Sequence, residues 1–433
     1  MISKRSARAI GWWACSAAIA MNALTGCDSS TSGERAHGAL PSTSEPVRAS
    51  RPVHDPPSTF ATDHAIPLPS RVIEGRLGVT GELNSALPVA LYKTTAFLAS
   101  ARRMQAMDTA TGQVTATVKP QGTPMDLGEF NTDPAAPPLL VTSQGTATVL
   151  TSFVMERVGT GTQASHTVVE VNAMNADTGK VMWRLTLRPP QWDMSSSDLR
   201  AAVVGADEDS AVIRVATEDG YHAAAYGIDL NRPRQVWSTD KLHVDAVVDG
   251  AAVGAVYSDD LATVQRPAGF DVATGERLWL GERSHDVQTS VAGPNLIRVQ
   301  GADYDSEKKY DRLVESRTSR VQKTVPADID DAACTYDGQH TLVCHGPNGA
   351  SGLDATNGEV LWKLPDEQAD RIAPDVTAVW HGRVYGTANN RPVALDARTG
   401  MDLPNPGTAP LLVNESVGIA LGDSGLAAYP TRS

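Results

Sequence analysis

The chain has 433 residues, 41% of them hydrophobic, and a formal net charge of −13. That length is enough for a large core, and the acidic balance argues against polyanionic partners, nucleic acid and anionic lipid headgroups among them. With four cysteines in all, a disulfide-dense scaffold is excluded as well.

The first residues read as an address. Lys4, Arg5 and Arg8 precede an apolar stretch, Ala9 to Ala23, that is short for a membrane span, so residues 1–26 read as a secretory signal peptide. The stretch ends in Leu24-Thr-Gly-Cys27, which resembles the lipobox of bacterial lipoproteins. The resemblance implies cleavage before Cys27, whose thiol then carries diacylglycerol and whose amino group takes a palmitate-type acyl chain. An ordinary signal peptide with a chance Cys is the alternative. At about 0.8 kcal/mol per buried methylene, two or more acyl chains hold a mature chain on the outer face of a membrane without a transmembrane helix.

Residues 27–69 change composition abruptly. They are rich in Ser, Thr, Pro and Ala, with Pro41-Ser-Thr-Ser-Glu-Pro46 and Asp55-Pro-Pro-Ser-Thr59, and show almost no apolar periodicity. Such a segment buries too little surface to offset its chain entropy, so it is expected to be a flexible tether in which His37, His54 and His64 are solvated. Loss of the first 26 residues, which hold three cations and no acid, takes the charge to −16.

Of the four cysteines, Cys15 lies in the signal and Cys27 is the expected anchor. Cys334 and Cys344 flank Tyr-Asp337-Gly338-Gln, which reads as a hairpin turn. Two strands meeting there bring the thiols within bonding distance, and outside the cytoplasm they would oxidise. Two unpaired buried thiols are the alternative. His340 and His345 nearby lack the spacing of a zinc site.

From residue 70 to 433 one sentence recurs. Gly352-Leu-Asp-Ala-Thr-Asn-Gly-Glu-Val-Leu-Trp362, Gly269-Phe-Asp-Val-Ala-Thr-Gly-Glu-Arg-Leu-Trp279 and Asn172-Ala-Met-Asn-Ala-Asp-Thr-Gly-Lys-Val-Met-Trp183 are its fullest copies. Ala394 to Gly400, Ala106 to Gly112, and Tyr226 to Trp237 are weaker ones. The markers Asp108, Asn175, Asp229, Asp271, Asp354 and Asp396 lie 67, 54, 42, 83 and 42 residues apart. The gap of 83 hides a further copy, read here at Asp311 with Ser319 in the place of the Trp. A last copy, Gly418 to Tyr429, lacks its final strand, and Arg71-Val-Ile-Glu-Gly-Arg-Leu-Gly78 stands alone as the strand to complete it. Apolar runs joined by Asp-Gly, as in Asp245 to Tyr257, are hairpins. The fold class expected is all-β, a β-propeller of eight four-stranded blades closed by an N-terminal strand, with seven blades as the alternative.

The repeated sentence resembles that of the quinoprotein-like, or PQQ-repeat, β-propeller family over nearly all of residues 70–433. The resemblance implies that Gly112, Gly179, Gly275, Gly358 and Gly400 make tight turns and that Trp183, Trp237, Trp279 and Trp362 pack between blades. Physical reasoning agrees: Gly supplies positive φ, and a large indole fills the gap between twisted sheets. Trp is missing at Ala116, Ser319 and Pro404, so packing is expected to be less regular there.

Three functions are compatible with such a ring. The family includes quinoprotein dehydrogenases, which hold pyrroloquinoline quinone and calcium beside adjacent cysteines; no Cys-Cys pair occurs here, and no catalytic Asp carries over by motif. Asp303-Tyr-Asp305-Ser-Glu307 departs from a calcium loop at its sixth and twelfth positions. Asp207-Glu208-Asp209 and Asp328-Ile-Asp330-Asp331 read as turn acids. No catalytic, cofactor or metal residues are therefore assigned. The family also includes the propeller lipoprotein of the outer-membrane β-barrel assembly machine, which this chain resembles in being lipid-anchored, although 28 Arg against 9 Lys and the Ser/Pro tether are closer to actinobacterial lipoproteins. The reading adopted is a non-catalytic scaffold for a cell-envelope protein, touching the membrane through its lipid alone. A ligand-binding or sensor ectodomain is the alternative, and a redox enzyme the third.

Overall fold

The computed structural model describes residues 53–70, 72, 87–125, 135–192, 199–217, 220–258, 263–326, 329, 332–422 and 425–432. The signal segment, Cys27, tether residues 28–52, Asp328, Asp330, Asp331 and all but Val72 of the expected strand at 71–78 lie outside them.

The repeat makes hairpins because its acid closes the turn by itself. Asp271 Oδ1 accepts the backbone N–H groups of Ala273 and Thr274 at 3.2 and 3.1 Å, and Gly275, at φ 72°, donates its own N–H back to the Asp271 carbonyl at 2.8 Å. Asp108, Asn175, Asp354 and Asp396 do the same ahead of Gly112, Gly179, Gly358 and Gly400. An Asx side chain mimics a backbone turn, and only Gly takes the left-handed closing position at little cost.

Among the described residues the strands group into eight antiparallel units of four strands, blades 1 to 8, at 89–118, 139–187, 199–240, 242–280, 284–324, 333–364, 375–403 and 412–430, and Thr123–Pro124 adds a fifth strand to blade 2. Blades 4 and 5 join through the pair Gln265 and Ser284. Strands within a blade are lettered A to D in chain order, except that blade 8 takes its D strand from the N-terminus. Successive A strands approach one another and form the inside of the ring. Among the described residues one short helical element can be given a range, the 3₁₀ turn Thr62–His64, and no described helix is long and apolar enough to cross a membrane.

Each neighbouring pair of blades buries its own apolar core. Eight such cores follow one another round the ring, from Phe97, Val149 and Phe153 between blades 1 and 2 to Val89, Leu98, Val417 and Ile419 between blades 8 and 1. The last of these closes the circle, since blades bury their faces only against neighbours. The fold is a β-propeller.

Two expectations need correction. The closing strand is Ile66–Pro67, in register with Ala428 and Ala427, and not 71–78. With it the segment from 53 onward leaves the expected tether: Phe60 bridges Thr431 and is 3% exposed, and Ala61 donates to the Pro430 carbonyl. Its prolines disguise it, because a D strand on an outer edge needs few ladder N–H groups. The second correction lies in blade 5, where the turn acid is Glu315 and not Asp311. Ser319, at φ 56°, donates to the Glu315 carbonyl and takes the Gly position, which puts Lys323, opposite Leu313, where the Trp would be.

Candidate functional site

In an antiparallel blade the A–B and C–D turns lie at one end and the B–C turns and D–A connections at the other. At the second end, blades 5, 6 and 7 enclose a cavity of about 1130 Å³. Its wall includes Asp286, Gln288, Lys309, Tyr310, Cys334, His345 and Asp375. Asp286 reaches it because the A strand of blade 5 (Ser284–Val291) carries a bulge between His285 and Gln288, with Asp286 itself at φ 49°. His345 and Asp375 arrive from the end of strand Thr341–Gly346 and the start of strand Asp375–Trp380.

A buried ion pair underlies this wall. Arg298, 2% exposed, sends Nε to both carboxylate oxygens of Asp311 at 2.9 and 3.1 Å, and its Nη2 also bonds Asp311. Gln300 Nε2 donates to the same carboxylate at 3.3 Å. Such a pair is tolerable because each charge is matched and hydrogen-bonded. Arg298 Nη1 is left to bond the Ala332 carbonyl and the Cys334 Sγ, the latter at 2.8 Å. Burial raises the Tyr310 phenol, whose hydroxyl donates to Ser284 Oγ at 2.9 Å, and holds the His345 imidazole below 6.5 against the opposing pull of Asp375. His345 is therefore neutral at pH 7.

Cys334 and Cys344 face each other directly across strands Ala333–Tyr336 and Thr341–Gly346 and are joined by a disulfide. The turn between them is held by Asp337 Oδ1, which accepts three backbone N–H groups, from Gln339, His340 and Thr341. The disulfide sits in the core between blades 5 and 6, with Cys334 on the cavity side.

The repeat residues lie between blades, away from the cavity. Trp237, Trp279 and Trp362 each lie flat over a Gly on the neighbouring C strand: a Cβ added at Gly227, Gly269 or Gly352 would stand 1.9, 2.2 or 2.1 Å from the indole Nε1. The turn glycine of the next blade then leans on the same ring, Gly275 on Trp237 and Gly400 on Trp362. Trp183, which faces Ala173 instead of Gly, is half-buried in the core between blades 2 and 3. Where Trp is missing, smaller groups stand in: Ala116 against Gly179, Lys323 against Gly358, and Ile66 against Gly112.

The described histidines do not converge. His222 stacks on Trp192, His285 on Tyr304, and His243 bonds Asp245 at 3.0 Å. Asp303 caps the B–C turn of blade 5 through Ser306, as a loop acid does. Among the described residues no three His, Cys, Asp or Glu side chains gather as a metal site would require. Arg298 and Asp311 were not singled out as a pair by sequence, although a lone Arg inside Leu296-Ile-Arg-Val299 was a visible signal of a buried charge.

At the opposite end a strap crosses blades 7 and 8. His54 N–H donates to the Glu415 carbonyl at 3.0 Å, and Asp55 Oδ1 bonds Trp380 Nε1 at 3.0 Å and His381 Nδ1 at 2.6 Å. The Pro57 carbonyl accepts from Tyr385 and Arg383 at 2.6 and 2.8 Å. The chain thus enters the ring from the A–B and C–D end, away from the cavity.

No family model matches the chain, and no curated protein matches it. Among solved structures it is similar to BamB from Moraxella catarrhalis, at 14% identity and a TM-score of 0.37 over 80% of this chain and 94% of that one. It is also similar to the quinohemoprotein alcohol dehydrogenase ADHIIG from Pseudomonas putida HK5, at 10% identity and a TM-score of 0.41 over 79% of this chain and 73% of that one. A third likeness is to the β-propeller domain of the Trilobed protease from Pyrococcus furiosus, at 12% identity and a TM-score of 0.37 over 68% and 94%. The assignment of a β-propeller rests on this chain's own blades and the successive apolar interfaces between them.

Proposed function

We propose that this chain is an extracytoplasmic lipoprotein, anchored through Cys27, whose propeller binds a cell-envelope protein at its B–C and D–A end without catalysing a reaction on it. The observation that carries the reading is the strap. Residues 54–57 are pinned at the A–B and C–D end, so the chain joins the propeller at the end away from the cavity. The lipobox-like Leu24 to Cys27, the Ser/Pro composition that follows, and a disulfide suited to an oxidising compartment support the same address. Loops on a stiff scaffold are the usual carriers of recognition. In-cell cross-linking of the tagged full chain tests this reading: one envelope protein recovered in near-equal amount supports it.

Ligand binding is the second reading, favoured by the size and polar wall of the cavity. Its amide, hydroxyl, carboxylate and ammonium groups suit a polar solute. Recovery of no partner, together with saturable binding of a small solute to the full chain, would favour it over the scaffold.

A further inference from the structure

We infer that Cys334–Cys344 is a thiol–disulfide exchange site, open to small-molecule thiols through the cavity, with Cys334 as the reacting sulfur and Cys344 as its resolving partner. Three observations carry this. Cys334 is partly exposed in the wall of a cavity of about 1130 Å³, whereas Cys344 is 2% exposed. Arg298 Nη1 donates to Cys334 Sγ at 2.8 Å. And Arg298 is itself fixed by the Asp311 carboxylate, so the donor stays in place whether the sulfur is oxidised or reduced. Asp311 balances the Arg298 charge, so what the site offers is an aimed N–H. A donor aimed at sulfur favours thiolate over thiol, and thiolate is the species that exchanges.

The exchange balances as follows. A small thiolate attacks Cys334 Sγ along the S–S axis; the Cys334–Cys344 bond breaks, its electron pair passes to Cys344 Sγ, and Cys344 takes up the proton that the incoming thiol lost to water. A second small thiolate attacks the outer sulfur of the mixed disulfide, releasing Cys334 as a thiolate held by Arg298 Nη1–H. Two small thiols are oxidised to one disulfide and the protein disulfide is reduced by two electrons. In reverse, reduced Cys334 attacks a small disulfide and Cys344 resolves the adduct. This chemistry does not depend on the lipid anchor or on a protein partner.

The test uses the full chain, folded, equilibrated with mixtures of reduced and oxidised glutathione, quenched with acid and mapped by mass spectrometry after alkylation. The expected result is that the disulfide opens without denaturant, that glutathione is found on Cys334, and that at pH 7 reduced Cys334 alkylates about ten-fold faster than Cys344. Arg298→Lys should slow Cys334 alkylation towards the ordinary rate. If that variant fails to fold, the site of the mixed disulfide in the unaltered chain still decides. A disulfide that opens only in denaturant, or glutathione found on Cys344, overturns the inference.

Discussion

Trp362 of blade 6 donates its indole Nε1–H to the carbonyl of Ala397 in blade 7, at 2.7 Å. The same bond joins Trp279 to Ser316 at 2.6 Å and Trp237 to Val272 at 2.7 Å, so the motif Trp is a staple whose acceptor lies just after the turn acid of the next blade. Trp237 and Trp362 thereby each tie three other residues: the Gly they lie over, the carbonyl they bond and the turn Gly that leans on them.

Removing the staple should cost stability in two steps. Trp279→Phe keeps most of the area but leaves the buried Ser316 carbonyl without its donor, a loss of about 1 to 3 kcal/mol, whereas Trp279→Ala should cost about 3 to 5 kcal/mol. Urea melts of both variants measure this. An unchanged melt for Trp279→Phe would mean that the indole N–H contributes nothing.

Two turn glycines separate backbone strain from packing. Gly145 and Gly275 have φ of 71° and 72°, but a Cβ at Gly145 meets open space while one at Gly275 would stand 2.5 Å from Trp237. Gly145→Ala should cost about 1 to 2 kcal/mol through the left-handed backbone alone, and Gly275→Ala about 1 to 3 kcal/mol more. Similar losses at the two sites would remove the Trp from the account.

Ser319→Gly tests the register of blade 5. A left-handed Ser319 should be relieved by Gly, raising stability by about 1 kcal/mol. Were Ser319 in the strand position that simple counting from Asp311 assigns it, the same change would lower the melting temperature.

Acid should weaken the fold first through His345. Its folded-state pKa lies below 6.5 because burial disfavours the imidazolium, so the unfolded chain binds the proton more readily. Stability is then full above pH 6.5 and falls as pH drops below it. Asp271, Asp354 and Glu315, whose carboxyls are lowered by hydrogen bonds and arginines, lose their contribution only further down, below 3.8 to 4.5. Melting curves at stepped pH should show a decline between these ranges that His345→Gln flattens; an unchanged decline would place the titrating group elsewhere.

The ring was legible in the sequence because its turns are chemically explicit: an Asp or Asn that accepts two backbone N–H groups, then a Gly at positive φ. The same explicitness misled in blade 5, where Glu315 performs the turn with a longer side chain and Asp311, four residues before it and buried against Arg298, looks more like the marker. Ile66 was hidden among prolines, and its role as the blade 8 counterpart of the Trp emerges only where it meets Gly112. The cavity could not be read at all, since Asp286, His345 and Asp375 are up to 89 residues apart and meet only once the ring is formed.

The position of the domain boundary follows from the strap. A chain beginning at residue 53 keeps Phe60, the Ile66–Pro67 strand and the Pro57 contacts, whereas one beginning at residue 70 leaves the outer edge of strand Gly425–Pro430 unpaired. The longer version should melt as a single transition, and the shorter should melt lower or aggregate. Indistinguishable melts would return residues 53–69 to the tether.

The most direct test of the central claim is position-specific photo-cross-linking in intact cells, with the probe at Lys309 or Asp375 on the cavity end and at Glu359 on the strap end. The account predicts a membrane-bound protein that cross-links one envelope protein from Lys309 and Asp375 but not from Glu359, and that leaves the membrane fraction when Cys27 is replaced by Ala. Cross-links confined to Glu359, or a Cys27→Ala protein that remains on the membrane, would contradict it.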